Sequence, residues 1–197
     1  MRGRFIVLEG IDGAGKSTLS KALTERLSGF TDVVATAEPS DGYVGDALRR
    51  AGSEDSHPLL ESLLFVADRA HHTHAMEGWL EEGKTVICDR YYASTMAYQT
   101  ASLGEGFRPW LREMNDKVII RPDLTLLLDI DPDRGMGRVN SRGEKSKFEK
   151  TEYLREVRRQ YLLLAEEDGF HIIDASQGPD EVLEEALVHI RGLLELI

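Results

Sequence analysis

Five short apolar runs punctuate this chain, at residues 5–8, 33–35, 85–88, 124–130 and 171–173. Each is continuous and not alternating, the pattern of strands covered on both faces in a parallel sheet. Between the runs, apolar positions recur at helical spacing. Leu19, Leu23 and Leu27 follow the first run, and Leu59, Leu60, Leu63, Leu64, Ala67 and Ala70 open a long segment that ends near Trp79 and Leu80. Val182, Leu183, Ala186, Leu187, Ile190, Leu193 and Leu194 make one stripe near the C-terminus. Strand and helix alternate. The pattern predicts the α/β class: a three-layer domain whose five-stranded, doubly wound parallel sheet is flanked by helices. No repeat or low-complexity stretch interrupts it, and 197 residues suit one domain over 1–197. The candidate for a mobile excursion is residues 140–150, polar except at Phe148.

Composition narrows the function classes. With 41% hydrophobic and 30% charged residues, the chain reads as soluble and globular, not disordered. A formal charge of -11 argues against a general nucleic-acid binder, which needs basic surface to displace counterions. The sign reverses only within residues 134–159, which hold nine Lys or Arg against four Glu. The single cysteine, Cys88, excludes an internal disulfide, and its apolar surroundings predict a buried, inert thiol. The first apolar run is too short for a signal peptide, Arg2 breaks the myristoylation pattern, and no stretch is long enough to span a bilayer. These features predict a cytoplasmic protein that does not enter the membrane.

The chemistry begins at Gly10-Ile11-Asp12-Gly13-Ala14-Gly15-Lys16-Ser17, followed by Thr18, which fits G-x-x-x-x-G-K-[ST] in full. The motif leaves the first predicted strand and enters the first amphipathic helix, the context of a P-loop NTPase fold. Its glycines let backbone amides converge on phosphate oxygens, and the helix N-terminus adds positive potential. Lys16 is expected on the β- and γ-phosphates of ATP, and the Ser17 hydroxyl on Mg2+. Such a loop serves several classes. A regulatory GTPase would carry N-K-x-D, but neither Asn115 nor Asn140 is followed by Lys. A motor or transporter ATPase would need further domains. A small-molecule kinase needs a second phosphate pocket and a closing lid, and the rest of the chain offers candidates for both.

Further motifs follow in order: Leu63-Leu64-Phe65-Val66-Ala67-Asp68-Arg69; Asp89-Arg90-Tyr91 with Ser94-Thr95 and Ala97-Tyr98-Gln99; Arg121-Pro122-Asp123-Leu124 through Leu128-Asp129; and Asp174-Ala175-Ser176. Together with Asp12 inside the loop, the set resembles the thymidylate kinase family over nearly the whole chain. Phe65 and Arg69 are four apart and share a helical face, where spacing alone reads equally as a core Phe with a solvated Arg. The resemblance implies Phe65 stacked on thymine and Arg69 hydrogen-bonded to its edge, which suits a flat base bearing carbonyl oxygens. It further implies Asp12 on the sugar 3′-hydroxyl, Tyr98 closing the 2′ position, and Ser94, with Thr95, lining the base pocket. Asp89 and Arg90 close the third strand, where a structural Asp–Arg pair is the alternative. The resemblance places Arg90 on the phosphates of donor and acceptor, and Asp89 on the Mg2+ hydration shell.

Two departures from the family pattern bear on the phosphates. Some thymidylate kinases carry an Arg inside the P-loop, where this chain has Gly13; others supply it from the lid, in a pattern like D-R-x-E. Here the lid, at about residues 138–150, reads Ser146-Lys147-Phe148-Glu149, with Lys in place of Arg. Arg142 is therefore the expected catalytic cation, with Lys147 the alternative, while Arg138 is expected beside ATP; a solvated basic loop is the bland alternative for the whole stretch. Ala37-Glu38-Pro39-Ser40 also departs, since many relatives read R-E-P-G, leaving Glu38 and Arg49 as candidate wall residues. His71, His72 and His74 lack the further ligands a zinc site needs. Trp79 and Trp110 are expected to pack in the core or at an interface. The resemblance implies dTMP kinase activity with Mg-ATP in a homodimer. A kinase for another nucleotide or deoxynucleoside, and a non-catalytic NTP-binding regulator, remain the alternatives.

Overall fold

A computed structural model describes residues 2–53, 56–138 and 144–194, with backbone only at residues 53 and 144–149. The chain runs β1 (Phe5–Glu9), α1 (Lys16–Leu27), β2 (Val33–Ala37), α2 (Tyr43–Ser53), α3 (Pro58–Glu81), β3 (Thr85–Asp89), α4 (Tyr92–Leu103), α5 (Arg108–Asp116), β4 (Leu124–Asp129), α6 (Pro132–Arg138), α7 (Glu144–Asp168), β5 (His171–Asp174) and α8 (Pro179–Leu194). All strands pair in parallel, in the order β2-β3-β1-β4-β5. Strands β3 and β4 lie on opposite sides of β1, so the chain switches direction across the sheet there and a crevice opens beyond the carboxyl ends of these central strands. Glu9 and Asp89, the last residues of β1 and β3, stand at its floor.

The expectation of strands covered on both faces holds for β1, β3 and β4, whose side chains are almost all buried, and fails at the edges. Strand β2 is half-exposed, and in β5 only Ile173 is buried. An edge strand lacks a neighbour on one side, so helices alone cover it and a continuous apolar run does not guarantee burial. Leu19, Leu23 and Leu27 of α1 and Val182, Ala186, Leu187 and Ile190 of α8 reach the core as their spacing requires. Trp79 and Trp110 pack against that core, and Cys88 is buried with its thiol pushed up by desolvation.

Helix α3 departs most from its apolar spacing. Leu60, Leu63, Ala67 and Ala70 face outward, whereas Ser62, Asp68, Arg69, His72 and Thr73 are buried with Val66, Met76 and Leu80. Its inward face is polar because it supports the crevice rather than an oily layer. The expected excursion over 140–150 is already helical from Glu144, consistent with the helix-forming Glu and Lys there. Helix α7 then packs along α4. Among the described residues, no helix is long and apolar enough to cross a membrane.

Candidate active site

The loop between β1 and α1 turns on glycine geometry. Gly10 and Gly13 have φ of 142° and 81°. A Cβ on Gly13 would come within 2.2 Å of the Gly135 carbonyl oxygen. The backbone here admits no side chain at that position, so the absence of a loop arginine follows from the packing of α6 against the loop. Gly15 is the N-cap of α1, which brings Lys16 and Ser17 into the first turn. Lys16 Nζ donates to the carbonyls of Gly10 and Ile11, at 2.9 Å each. Burial, reinforced by the Arg90 charge, lowers its pKa to about 8. An approaching polyphosphate offers the negative charge that would reverse this shift.

Ser17 Oγ donates to Asp89 Oδ2 at 2.6 Å, joining the start of α1 to the end of β3. These two oxygens border a hollow of about 360 Å³, shared with Asp12, Gly13, Gly15, Lys16, Thr18 and Arg90. The donor set fits Mg2+, a hard cation that takes few protein oxygens and keeps water and phosphate ligands. Among the described residues, no group of three His, Cys, Asp or Glu side chains could hold a metal ion alone. On the far side of the loop, Ala14, Gly15 and Thr18 border a second hollow of about 540 Å³ with Arg138, Ala175 and α8. Arg138 Nη1 crosses it to donate to the Ala175 carbonyl at 3.1 Å and reaches the Gly13 carbonyl at 3.4 Å. Arg142 lies outside the described residues, as does the side chain of Lys147. Farther along the basic stretch, Arg155, Arg158 and Arg159 are engaged by Asp133, Asp129 and Glu105.

A third cavity, of about 240 Å³, collects Asp12, Phe65, Arg69, Arg90, Ser94 and Tyr98. All six residues expected at the acceptor thus meet at one place. Glu38, Glu61, Gln99 and Tyr153 also line it; of these, the family resemblance offers Glu38 as a wall residue and includes Gln99 in a motif without a role. Asp89 and Arg90 do not pair with each other. Arg90 Nη2 instead donates to Asp12 Oδ1 at 2.6 Å, and its guanidinium lies 5.2 Å from the centre of the Tyr98 ring. Burial pushes the Tyr98 hydroxyl up to about 12, so it stays protonated near neutral pH. Arg90 has a φ of 70°, a left-handed backbone that non-glycine residues resist and that clusters at functional sites.

Arg69 is fully buried. Its guanidinium donates to Asn115 Oδ1 and Glu38 Oε2, and to Thr95 Oγ1 at 3.0 Å. Thr95 therefore supports Arg69 and does not itself border the cavity. Glu38 also meets His72 Nδ1 at 3.2 Å, and His72 Nε2 pairs with Thr36 Oγ1 at 2.7 Å. Asp68 takes hydrogen bonds from the Ser40 amide and hydroxyl at 2.8 and 2.6 Å, fixing the turn after β2. Arg49 lies beside that turn, donating to the Pro39 and Ser40 carbonyls and to Asp46, and does not border the cavity. Three buried polar atoms of lining residues keep no partner: the Tyr98 hydroxyl, and two of opposite kind, Arg69 Nε, a donor, and Gln99 Oε1, an acceptor. Buried polar atoms are rarely left so, and the latter two suit a ligand with the complementary groups.

The sequence model of the thymidylate kinase family matches residues 8–186. The chain belongs to the thymidylate kinase family. Several relatives named "Probable thymidylate kinase" cover nearly its whole length. The one from Methanococcoides burtonii is 41% identical over 99% of this chain and 100% of its own. That from Methanosarcina acetivorans is 45% identical over 95% of each chain. The Pyrobaculum aerophilum relative is 41% identical over 90% of this chain and 91% of its own. Within the family frame, motif reading missed Glu61 and Tyr153 at the cavity wall and, behind it, Asn115 and Glu9. Glu9 left one signal, a carboxylate closing an apolar run immediately before the P-loop. Asn115 left none.

Proposed function

We propose that the chain transfers the γ-phosphoryl group of Mg-ATP to dTMP, giving ADP and dTDP. The observation that carries the acceptor assignment is that Arg69 Nε and Gln99 Oε1, one donor and one acceptor, are both unpartnered on residues lining the cavity that also holds Phe65. Thymine presents a carbonyl acceptor at C4 beside an N–H donor, and an aromatic face for Phe65. Asp12 receives the sugar hydroxyl, and Tyr98 closes the space beside it. Ser94 holds the wall at Arg90.

The acceptor phosphate is largely dianionic near neutral pH, its second pKa being about 6, so transfer needs no general base. Catalysis reduces to alignment, charge neutralisation and water exclusion. Lys16 leaves its loop carbonyls for the β- and γ-phosphates, and Arg90 exchanges Asp12 for the phosphates of donor and acceptor. Ser17 would hold Mg2+, with Asp89 on its hydration shell, and the ion when bound would supply charge neutralisation at the phosphates. Arg138 borders the donor nucleoside, and Arg142 closes from the lid. The homodimer and the cytoplasmic location belong to the same reading.

A coupled assay against a panel of nucleoside monophosphates tests the proposal. The highest kcat/KM is expected for dTMP; turnover of CMP or AMP with none of dTMP would refute it.

A further inference from the structure

Glu9 is a fully buried carboxylate that the reading above does not use. One oxygen, Oε1, accepts the backbone amides of Tyr91 and Ser94 at 2.9 and 3.1 Å, pinning the start of α4 directly after Arg90. The other, Oε2, accepts the hydroxyls of Ser94 and Tyr161 at 2.6 and 3.0 Å. The two hydroxyl oxygens also lie 2.8 Å apart, so with their protons directed to Glu9 or to one another they keep lone pairs for Arg90. Arg90 Nη1 donates to Ser94 Oγ at 3.2 Å and reaches Tyr161 Oη at 3.5 Å. Burial pushes the Glu9 carboxyl up, while its hydrogen-bond donors and the Arg90 charge pull it down.

We infer that Glu9 is a positioning residue for Arg90, acting through the Ser94 and Tyr161 hydroxyls and through the backbone that holds Arg90 in its left-handed conformation. The inference rests on the proposed role of Arg90 at the phosphates. Glutamine at position 9 keeps the shape and reverses the polarity of half the group. If its amide nitrogen faces the two backbone amides, the turn after Arg90 loses its anchor. If it faces the two hydroxyls, they must accept from it, and their protons turn toward the guanidinium. Either arrangement displaces Arg90. Tyr161 ties α7, the helix that follows the lid, into the same network, so removing its hydroxyl weakens one of the two relays.

The test is a double-mutant cycle on dTMP affinity, read by calorimetry on wild type, Glu9→Gln, Arg90→Ala and the double variant, with kcat measured alongside. Glu9→Gln is expected to weaken dTMP binding about tenfold and to lower kcat at least as much when Arg90 is present, and to change affinity less than twofold in the Arg90→Ala background. Equal losses in both backgrounds, or no loss in a folded Glu9→Gln protein, would overturn the inference. Should Glu9→Gln not fold, Tyr161→Phe decides, with about a threefold loss expected only where Arg90 remains; an equal loss in both backgrounds, or none, overturns it. If wild type binds another monophosphate and not dTMP, the proposed function fails while the cycle, run on that nucleotide, still judges Glu9. A wild type that binds no monophosphate removes both.

Discussion

The two halves of the crevice satisfy their polar groups in different ways. On the acceptor side, Arg69 is held by Glu38, Asn115 and Thr95, three partners from three other segments, and keeps only Nε unmatched. On the donor side, the reactive groups are satisfied by one another: Lys16 by its own loop carbonyls and Ser17 by Asp89. Arg138 spans an open hollow to the Ala175 and Gly13 carbonyls. Under the proposed function, the difference separates specificity from catalysis. A base is discriminated by donors and acceptors that cannot move, because an unmatched group in a fixed site costs its full desolvation. A transferring phosphoryl group needs cations that arrive with it, and those can wait on exchangeable partners.

Lys16→Ala should have the largest effect if this division holds. It is expected to lower kcat/KM by about 10³-fold, near the upper end for removal of one charge-stabilising group. In the same protein, dTMP affinity measured without ATP should change less than about threefold. Comparable losses in both quantities would merge the two halves into one unit. Glu38→Ala attacks the other side, leaving the buried Arg69 charge without its carboxylate. Urea unfolding should show a loss of about 3–5 kcal/mol, the usual result of breaking a buried ion pair from one side. A loss below about 1 kcal/mol, the scale of an exposed pair, would mean that water reaches Arg69.

The lid comes next in size. Arg142→Ala should reduce kcat about 10²-fold, and Lys147→Ala by less than about fivefold, because a planar fork suits phosphoryl oxygens better than an ammonium. Equal and small effects would remove the lid from the chemistry. Tyr153→Phe should give the smallest change. It deletes a hydrogen bond of 2.9 Å from Tyr153 to the Tyr98 carbonyl at the cavity wall. The expected loss is about 1 kcal/mol in dTMP binding, with kcat unchanged, and a fall in kcat instead would put Tyr153 among the reacting groups.

The same contrast explains what the sequence disclosed. The donor side is written locally: the motif from Gly10 to Ser17 is contiguous, and the strand and helix on either side have their own periodicity. The residues expected at the acceptor, Asp12, Phe65, Arg69, Arg90, Ser94 and Tyr98, come from motifs, and the fold brings all six to one cavity. Their supports were legible only as separate residues: Glu38 and Thr95 were expected at the pocket, but nothing tied either to Arg69. Asn115 lies 46 positions from Arg69 and Glu38 lies 31 away, distances at which no periodic signal links them. The inward face of α3 was misread because apolar spacing assigns Leu60, Leu63, Ala67 and Ala70 to the core, whereas the buried face carries Ser62, Asp68, Arg69, His72 and Thr73. Where a helix supports a binding site, burial and hydrophobicity separate, and pattern arguments lose their premise.

Calorimetric titration of the ATP-free protein with dTMP and with dCMP tests the central claim most directly. A prebuilt acceptor pocket predicts that dTMP binds without ATP and that dCMP binds about 100-fold more weakly, because the amino group at C4 sets a donor against Arg69 Nε. Equal affinity for the two nucleotides, or no dTMP binding until an ATP analogue is added, would contradict it.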